Sequence, residues 1–481
     1  MTVAFRLLGW ILVIFAVLGF LCWGVALARP GASPPMAWLV YAGLVAFFAI
    51  ALLIITGGHD LGTTRTQALY APLVIVVLCP FVVSVPFLFA GQADGVSAWF
   101  ESMSALTTTS ASAIGLPSTL SSALVVWRCA VEWVGGWLFI CFALSIQPIL
   151  NIAGMRFAVN VLPRLETRSF YHRTIATARI LGLLYISLTA AAALVLLISG
   201  VPAGLALPLA MAGLATGAYV PLEQGLAGIS GLAPKGFLAL ILVMGAMNFT
   251  LHYGALRGQV TRSISAVEMR GLLRMIVLAM LAMFAVSVIA GDISLSIPNL
   301  TDTAFLAISA VTTSGLSPLG TQTASLSVGI LLLSLCVIGG MAGSTTGGIK
   351  ILRALLIDRF VNTELARLGS PNRVTNVEYD GRIIRVSDML GIWSLVLVIA
   401  GSIAIGSLIL SALQMPFLTA ISVSLASVTN AGPMPEIMDP KFAGYGAMSP
   451  GMLITSGVLM VLGRLEFLIV LAFILSRGFR F

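Results

Sequence analysis

Apolar residues along this chain gather into runs long enough to cross a bilayer, separated by short polar loops. A hydrocarbon core of ~30 Å needs about 20 apolar residues in a helix. Runs near that length cover Leu7–Ala28, Met36–Ile55, Leu69–Ala90, Leu120–Leu150, Ile180–Gly200, Gly236–His252, Arg274–Ala290, Ser325–Gly340, Met389–Leu413 and Met452–Ser476. They predict ten spanning helices. The first run follows Arg6 and ends near Ala26-Leu27-Ala28, as a signal peptide would. Its apolar stretch exceeds the roughly 7–15 residues of such a leader, so it reads as a span.

Four stretches between these runs mix apolar residues with Ser, Thr and Gly: Ala98–Leu116, Gly204–Val220, Asp302–Leu319 and Pro416–Pro433. Their continuous apolar parts are too short to cross. Irregular backbone is tolerated at membrane depth only where it is buried in protein or lines a watery cavity. Each stretch is therefore expected to be a re-entrant hairpin, a half-helix entering and an extended strand returning. Small residues also serve tight helix packing. Four such stretches, each between two spans, favour the hairpin. The expected fold is an all-α membrane protein: two N-terminal helices (1–68) and four span–hairpin–span units at 69–152, 180–258, 274–362 and 388–481, arranged with pseudo-fourfold symmetry around a central pore.

Composition excludes the main alternatives. The chain of 481 residues is 59% hydrophobic and only 9% charged, against about 25% charged in soluble domains. A disordered chain would be far more polar. The net charge of +8 follows from topology. With a cytoplasmic N-terminus and every hairpin returning to the outside, 20 of the 25 Lys and Arg residues fall on the inner side or at its edge. This is the positive-inside pattern, and it explains the basic balance without a nucleic-acid partner. Only Arg29, Lys235 and Lys441 fall outside, while Arg128 and Arg464 lie within spans. The five cysteines sit in or beside apolar runs with no CxxC pair, so they predict buried thiols rather than a disulfide or metal framework.

The hairpin ends resemble one another. Leu106-Thr107-Thr108-Thr109-Ser110-Ala111-Ser112 is similar to Val311-Thr312-Thr313-Ser314-Gly315-Leu316-Ser317, and Leu214–Tyr219 and Val428–Pro433 are looser versions. Spacings between Ser110, Gly217, Gly315 and Gly432 are 107, 98 and 117 residues. Thr- and Gly-rich strands suit a filter in which rings of backbone carbonyls replace an ion's hydration shell. A half-helix that aims its C-terminal dipole at a cavity favours a cation there.

Several stretches carry a family resemblance: Phe100–Thr109; Trp127-Arg128 with Glu132-Trp133-Val134-Gly135-Gly136; Met247–Tyr253; Gly339–Lys350; and Leu462-Gly463-Arg464-Leu465-Glu466. In this order they are similar to the membrane subunit of the Trk/Ktr/HKT superfamily of K⁺ transporters, bacterial TrkH type, over essentially the whole chain. The resemblance implies K⁺ uptake through a four-repeat filter at Thr108, Thr109 and Ser110; Thr216, Gly217 and Ala218; Thr313, Ser314 and Gly315; and Asn430, Ala431 and Gly432. The family keeps one glycine per strand. Ser110 departs from this pattern, and the second glycine position falls on Gly217 or, one residue later, on Ala218. A Cβ at Ser110 restricts the backbone, which leaves Na⁺ conduction or poor K⁺/Na⁺ selectivity, and also ion-coupled K⁺ symport, as alternatives.

Gly339–Gly348 interrupts an apolar helix with glycines and Ser344-Thr345-Thr346. Each glycine costs a helix up to ~1 kcal/mol, so a break is expected. The resemblance implies an intramembrane gating loop beneath the filter, with Gly343, Ser344, Thr345, Thr346, Gly347, Gly348 and Lys350. A phosphate-binding loop is a poor fit, since Gly-Lys-Ser/Thr is missing and no strand precedes it. A packing kink is the plainer alternative.

Arg464 lies mid-span, where an isolated charge costs at least ~2.5–3.5 kcal/mol. The resemblance places it in the pore under the filter; pairing with Glu466 or a carbonyl is the structural alternative. Arg128 and Glu132 are spaced i, i+4 and predict a local ion pair, with Glu132 standing where family members carry Gln. Glu101 and Asp302 read as caps at the starts of pore helices. The resemblance further implies a homodimer in the bacterial inner membrane and a separate cytosolic, nucleotide-binding TrkA-like ring docking at inner loops such as Arg353–Arg385. No cofactor is expected beyond the transported ion. Sequence signatures of hydrolases and metalloenzymes do not occur, so an enzyme is not expected.

Overall fold

The computed structural model describes residues 2–29, 33–58, 65–115, 119–150, 169–229, 231–259, 266–291, 297–319, 324–370, 378–379, 382–384 and 386–464. Two long helices lead the chain, α1 (Thr2–Ala28) and α2 (Pro35–Ile55). Unit 1 follows as α3 (Arg65–Phe89), α4 (Gly95–Leu106) and α5 (Ser122–Leu150). Unit 2 holds α6 (Phe170–Ile198), α7 (Ala203–Ala215), α8 (Leu232–Ala246) and α9 (Phe249–Leu256). Unit 3 holds α10 (Val267–Ile289), α11 (Ile297–Val311), α12 (Leu326–Val337) and α13 (Ile351–Gly369). Unit 4 holds α14 (Val386–Ala412), α15 (Phe417–Thr429), the short α16 (Met434–Met438) and α17 (Pro450–Arg464). Strand content among the described residues is confined to the parallel pair β1 (Ile338–Gly339) and β2 (Ile349–Lys350) and the hairpin β3 (Glu378–Tyr379) and β4 (Arg382–Ile383).

Seven described helices are long and apolar enough to cross a membrane: α1, α2, most of α3, most of α5, α6, α10 and most of α14. Their outer faces carry exposed Leu183, Ile198, Ile289 and Leu397. In a bilayer such apolar surface needs no protein cover. By contrast α4, α7, α11 and α15 run only 12, 13, 15 and 13 residues. At 1.5 Å per residue that is about 18–23 Å, short of the ~30 Å hydrocarbon core.

These short helices are where the units meet. In each unit a helix that comes after the short one packs against the short helix of the next: α5 on α7, α8 on α11, α12 on α15, and α17 back on α4. The arrangement closes on itself. The leading hairpin joins it through α1, which packs on α3 and α5. An aromatic cluster fixes that joint. Trp38 stacks edge-on to Phe89 and Trp127 at 5.2 and 5.7 Å, with Tyr41 5.4 Å from Trp127. Edge-to-face aromatic pairs add about 0.5–1.5 kcal/mol beyond area burial. All five cysteines are free and buried.

Two of the expected spans are not continuous helices of the expected extent. Gly236–His252 breaks at Met247–Asn248, where α8 and α9 meet at 102°. The cause is local: Asn248 is an N-cap, its Oδ1 accepting the Thr250 N–H at 2.9 Å. Ser325–Gly340 stops as a helix at Val337, and the chain resumes helical form at Ile351 after the glycine-rich stretch. For Met452–Ser476 the described helix is Pro450–Arg464; positions beyond 464, Glu466 included, lie outside the described residues. The helices opening units 2 and 3 also begin earlier, at Phe170 and Val267 rather than Ile180 and Arg274. Their first turns are polar, so hydropathy alone misses them.

Candidate cation-conduction site

The four short helices end in the same way. A left-handed residue follows each helix within two positions: Thr108, Thr216, Thr313 and Asn430 have φ of 55°, 50°, 53° and 56°. In each case its N–H reaches the carbonyl three residues back, as from Thr108 to Ala105 at 3.0 Å. The next N–H reaches five back, as from Thr109 to Ser104 at 2.9 Å. The same two bonds recur from Thr216 and Gly217, Thr313 and Ser314, and Asn430 and Ala431. This is the Schellman cap, which normally places glycine at the left-handed position. Three of the four here are threonine. A β-branched residue at positive φ is a true outlier, and such strain of about 1–3 kcal/mol persists where surrounding structure over-determines it, commonly at functional sites.

These caps set the correspondence between units. Two residues beyond each left-handed position stand Ser110, Ala218, Gly315 and Gly432. Gly217 corresponds instead to Thr109, Ser314 and Ala431. Gly315 has φ of 81°. Gly432 meets a different demand, since a Cβ there would lie 2.5 Å from the Thr109 carbonyl oxygen.

The strands touch in a closed order. Between units 1 and 2, the Ala218 N–H donates to Ser110 Oγ at 2.7 Å. Between 2 and 3, Ser314 Oγ donates to the Gly217 carbonyl at 2.8 Å. Between 3 and 4, a Cβ on Gly315 would stand 2.8 Å from Pro433 Cδ. Between 4 and 1, the Gly432 N–H donates to the Thr109 carbonyl at 2.8 Å. Among the described residues, no hydrogen bond ends on the carbonyls of Thr108, Thr216, Thr313 or Asn430. Among the described residues these four equivalent acceptors have no donor, although buried backbone carbonyls need partners.

Close approach by the flanking helices depends on small residues. A Cβ on Gly135, Gly245 or Gly463 would fall 2.1, 2.7 or 1.9 Å from the carbonyl oxygen of Leu106, Leu214 or Val428. Each of those carbonyls lies two residues before a left-handed position.

On one side of the strands is a cavity of ≈ 500 Å³ lined by Ser110, Ala218, Gly315 and Pro433, with the acidic residues Glu223, Glu436 and Asp439 in its wall. Glu436 opens to this cavity yet has protein on most sides. The lost hydration raises its carboxyl pKa to about 7. The sequence reading did not single out these acids. Their only linear signal is their position shortly after a strand expected to form the filter.

The glycine-rich stretch packs against the helix ends. Thr345 Oγ1 lies 2.9 Å from the carbonyls of both Leu214 and Gly245. The Gly347 N–H donates to Thr313 Oγ1 at 2.8 Å, and a Cβ on Gly347 would fall 2.0 Å from the Thr429 carbonyl oxygen. Gly343 takes φ of 75° and its carbonyl accepts the Phe249 N–H at 3.2 Å. Lys350, buried, donates to the Thr346 carbonyl and lies 3.0 Å from Thr346 Oγ1 and 3.4 Å from Ser344 Oγ. Gly348 also has positive φ. The stretch therefore touches units 2, 3 and 4 at their short helices or at the strands that follow them. Arg464 is buried, with its guanidinium 5.1 Å from the centre of the Phe139 ring.

Two cap assignments need correction. Glu101 lies inside α4, whose N-cap is Asp94, accepting the Ser97 N–H at 2.7 Å. Glu101 instead accepts from Arg128 Nε at 2.6 Å, Ser112 Oγ at 3.2 Å and the Ala113 N–H at 3.0 Å. Asp302 lies within α11 and pairs with Lys235 at 2.7 Å. In both cases a partner distant in sequence claims the carboxylate. The Arg128–Glu132 pair forms at 2.6 Å.

A profile of the TrkH family, described as a cation transport protein, matches residues 84–478. The chain belongs to the TrkH family. TrkH relatives include the Trk system potassium uptake protein TrkH of Salmonella typhimurium, 27% identical over 80% of each chain. The protein of that name from Vibrio parahaemolyticus is 29% identical over 80% of each. The crystal structure of the potassium transporter TrkH from Vibrio parahaemolyticus superposes with a TM-score of 0.86 at 26% identity, covering 98% of both chains. At 98% of the chain this likeness extends into the leading helices, which the TrkH profile, starting at residue 84, does not reach.

Proposed function

We propose that this TrkH-family protein conducts K⁺ inward through a filter formed by Thr108–Ser110, Thr216–Ala218, Thr313–Gly315 and Asn430–Gly432. One observation carries the reading: four left-handed caps in a closed ring, each leaving a carbonyl without a donor among the described residues. Ringed carbonyls of this kind replace ion hydration. The names of the relatives supply K⁺ as the ion. An inward-negative potential supplies about 2.3 kcal/mol per charge per 100 mV, so accumulation needs no chemistry in this chain.

In this reading Gly343–Gly348 and Lys350 form the gate, because they bond to atoms of units 2 and 3 and lie against the end of the short helix of unit 4. Arg464 adds positive charge beside the gate, lowering cation occupancy when the gate is shut. Ser110 and Ala218, which carry side chains where units 3 and 4 have glycine, support the second reading of weakened K⁺/Na⁺ discrimination. The protein works as a homodimer in the bacterial inner membrane with its N-terminus in the cytoplasm, controlled by a TrkA-like ring on the inner face.

The test is ion flux into liposomes under separate K⁺, Na⁺ and proton gradients. K⁺ current driven by voltage alone is expected. Flux that appears only with a proton or Na⁺ gradient would replace this reading with symport, and reversal potentials equal for K⁺ and Na⁺ would establish the unselective one.

A further inference from the structure

Three charged side chains are enclosed behind the strands of units 1 and 2. Glu101, Arg128 and Glu132 are each 0–1% exposed. Arg128 donates through Nε to Glu101 and through Nη1 to Glu132, both at 2.6 Å, and its guanidinium stacks 4.8 Å from the centre of the Tyr219 ring. Glu101 is well satisfied, since Ser112 Oγ and the Ala113 N–H also reach it. Glu132 is not. Its Oε2 takes Arg128, while Oε1 meets no donor in good hydrogen-bond geometry among the described residues.

That second oxygen lies against the filter backbone. A Cβ placed on Gly217 would stand 1.7 Å from Glu132 Oε1 and 2.8 Å from Ser110 Oγ. The Ser110 hydroxyl and the Tyr219 N–H are the polar groups that approach this carboxylate from the filter side. Ser110 Oγ already accepts the Ala218 N–H, so its own proton is left to donate. A structural ion pair would be complete with Arg128 and Glu101 alone. A second buried carboxylate adds a desolvation cost that one arginine does not offset. A cation in the adjacent filter would supply the missing positive charge.

We propose that Glu132 is a specificity-determining residue of the filter, holding the unit 1 strand through the Ser110 hydroxyl and setting cation occupancy by its charge. This rests on the filter assignment above. Serine, with its Cβ at φ of 65°, is then held in place by the carboxylate behind it, and the two residues act as one device.

The experiment uses the full chain in liposomes, comparing wild type, Glu132→Gln, Ser110→Ala and the double variant. Reversal potentials give the K⁺/Na⁺ permeability ratio, and current against K⁺ concentration gives half-saturation. Each single variant should shift the ratio by about threefold or more in the same direction, and the double variant should match a single one rather than their product. Glu132→Gln should also raise the half-saturating K⁺ concentration. An unchanged ratio in either conducting single variant, or independent effects in the double, overturns the proposal. Should Glu132→Gln fail to fold, Ser110→Ala, which alters no charge, decides by the same ratio. Wild-type protein that passes no K⁺ would instead count against the filter assignment itself.

Discussion

Asn430 donates its side-chain amide to the Thr109 hydroxyl at 2.9 Å, joining the last short helix to the first across 321 positions of sequence. The same amide reaches the Met460 carbonyl of α17 at 3.1 Å. Asparagine, after glycine, is the residue that most readily takes the left-handed conformation. Unit 4 thus gains a clasp on unit 1 with less backbone strain than the threonines bear in the other three units.

Asn430→Ala removes both bonds and the left-handed preference together. The expected loss is about 1–3 kcal/mol of stability, the range for leaving buried partners unsatisfied, with reduced K⁺ selectivity. Asn430→Gly keeps the cap and loses only the clasp, so it should fall between. Thermal unfolding in detergent and reversal potentials check this; an alanine variant indistinguishable from wild type in both would dismiss the clasp.

Gly347→Ala puts a methyl group where the Thr429 carbonyl now sits. The stretch must withdraw, and its bond to Thr313 Oγ1 is lost. Higher K⁺ flux is expected, as it is from shortening the Gly343–Gly348 segment. Unchanged flux in a stable variant would argue for a packing role rather than gating.

Glu436 gives the cavity a pH response. With its pKa near 7, the carboxyl is neutral in mild acid and negative in mild base, so K⁺ current at low K⁺ should rise as pH climbs through about 7. Glu436→Gln should flatten that rise. The sign for stability is opposite. A carboxyl whose folded pKa is raised contributes stability at low pH, and that contribution is lost as pH rises through its folded value. A rise in current that survives the Gln substitution would assign it to another group.

Arg128→Leu leaves Glu101 and Glu132 buried without their cation. Removing one partner of a buried ion cluster costs about 3–5 kcal/mol, read as a lowered unfolding temperature. Arg128→Lys restores charge without the two-armed geometry and should recover part of the loss. A leucine variant as stable as wild type would show that the carboxylates are held some other way.

Much of the fold was legible because the bilayer imposes a local test. Runs such as Met36–Ile55 and Met389–Leu413 can be recognised one at a time, and the four Ser/Thr/Gly stretches fail that test visibly. The break after Val337 announced itself through glycines. The one at Met247–Asn248 did not, since a single capping asparagine hardly disturbs the hydropathy of its surroundings. Glu101 was misread because its true partner, Arg128, is 27 positions away, whereas the capping pair Asp94 and Ser97 was available nearby.

By itself, the sequence determined the solvent this protein folds in, which segments are long enough to cross it, and which are too short and too polar to do so. Those properties depend on residues within one helix length of each other. Tertiary structure alone decided that four helix ends meet in a closed order, that Ala218 rather than Gly217 holds the position equivalent to Ser110, Gly315 and Gly432 counted from the left-handed caps, and that a carboxylate waits behind the strands. Such facts depend on φ angles at single residues and on contacts such as Asn430 to Thr109. Side chains hundreds of residues apart leave no joint mark on a single chain until packing brings them within hydrogen-bond reach.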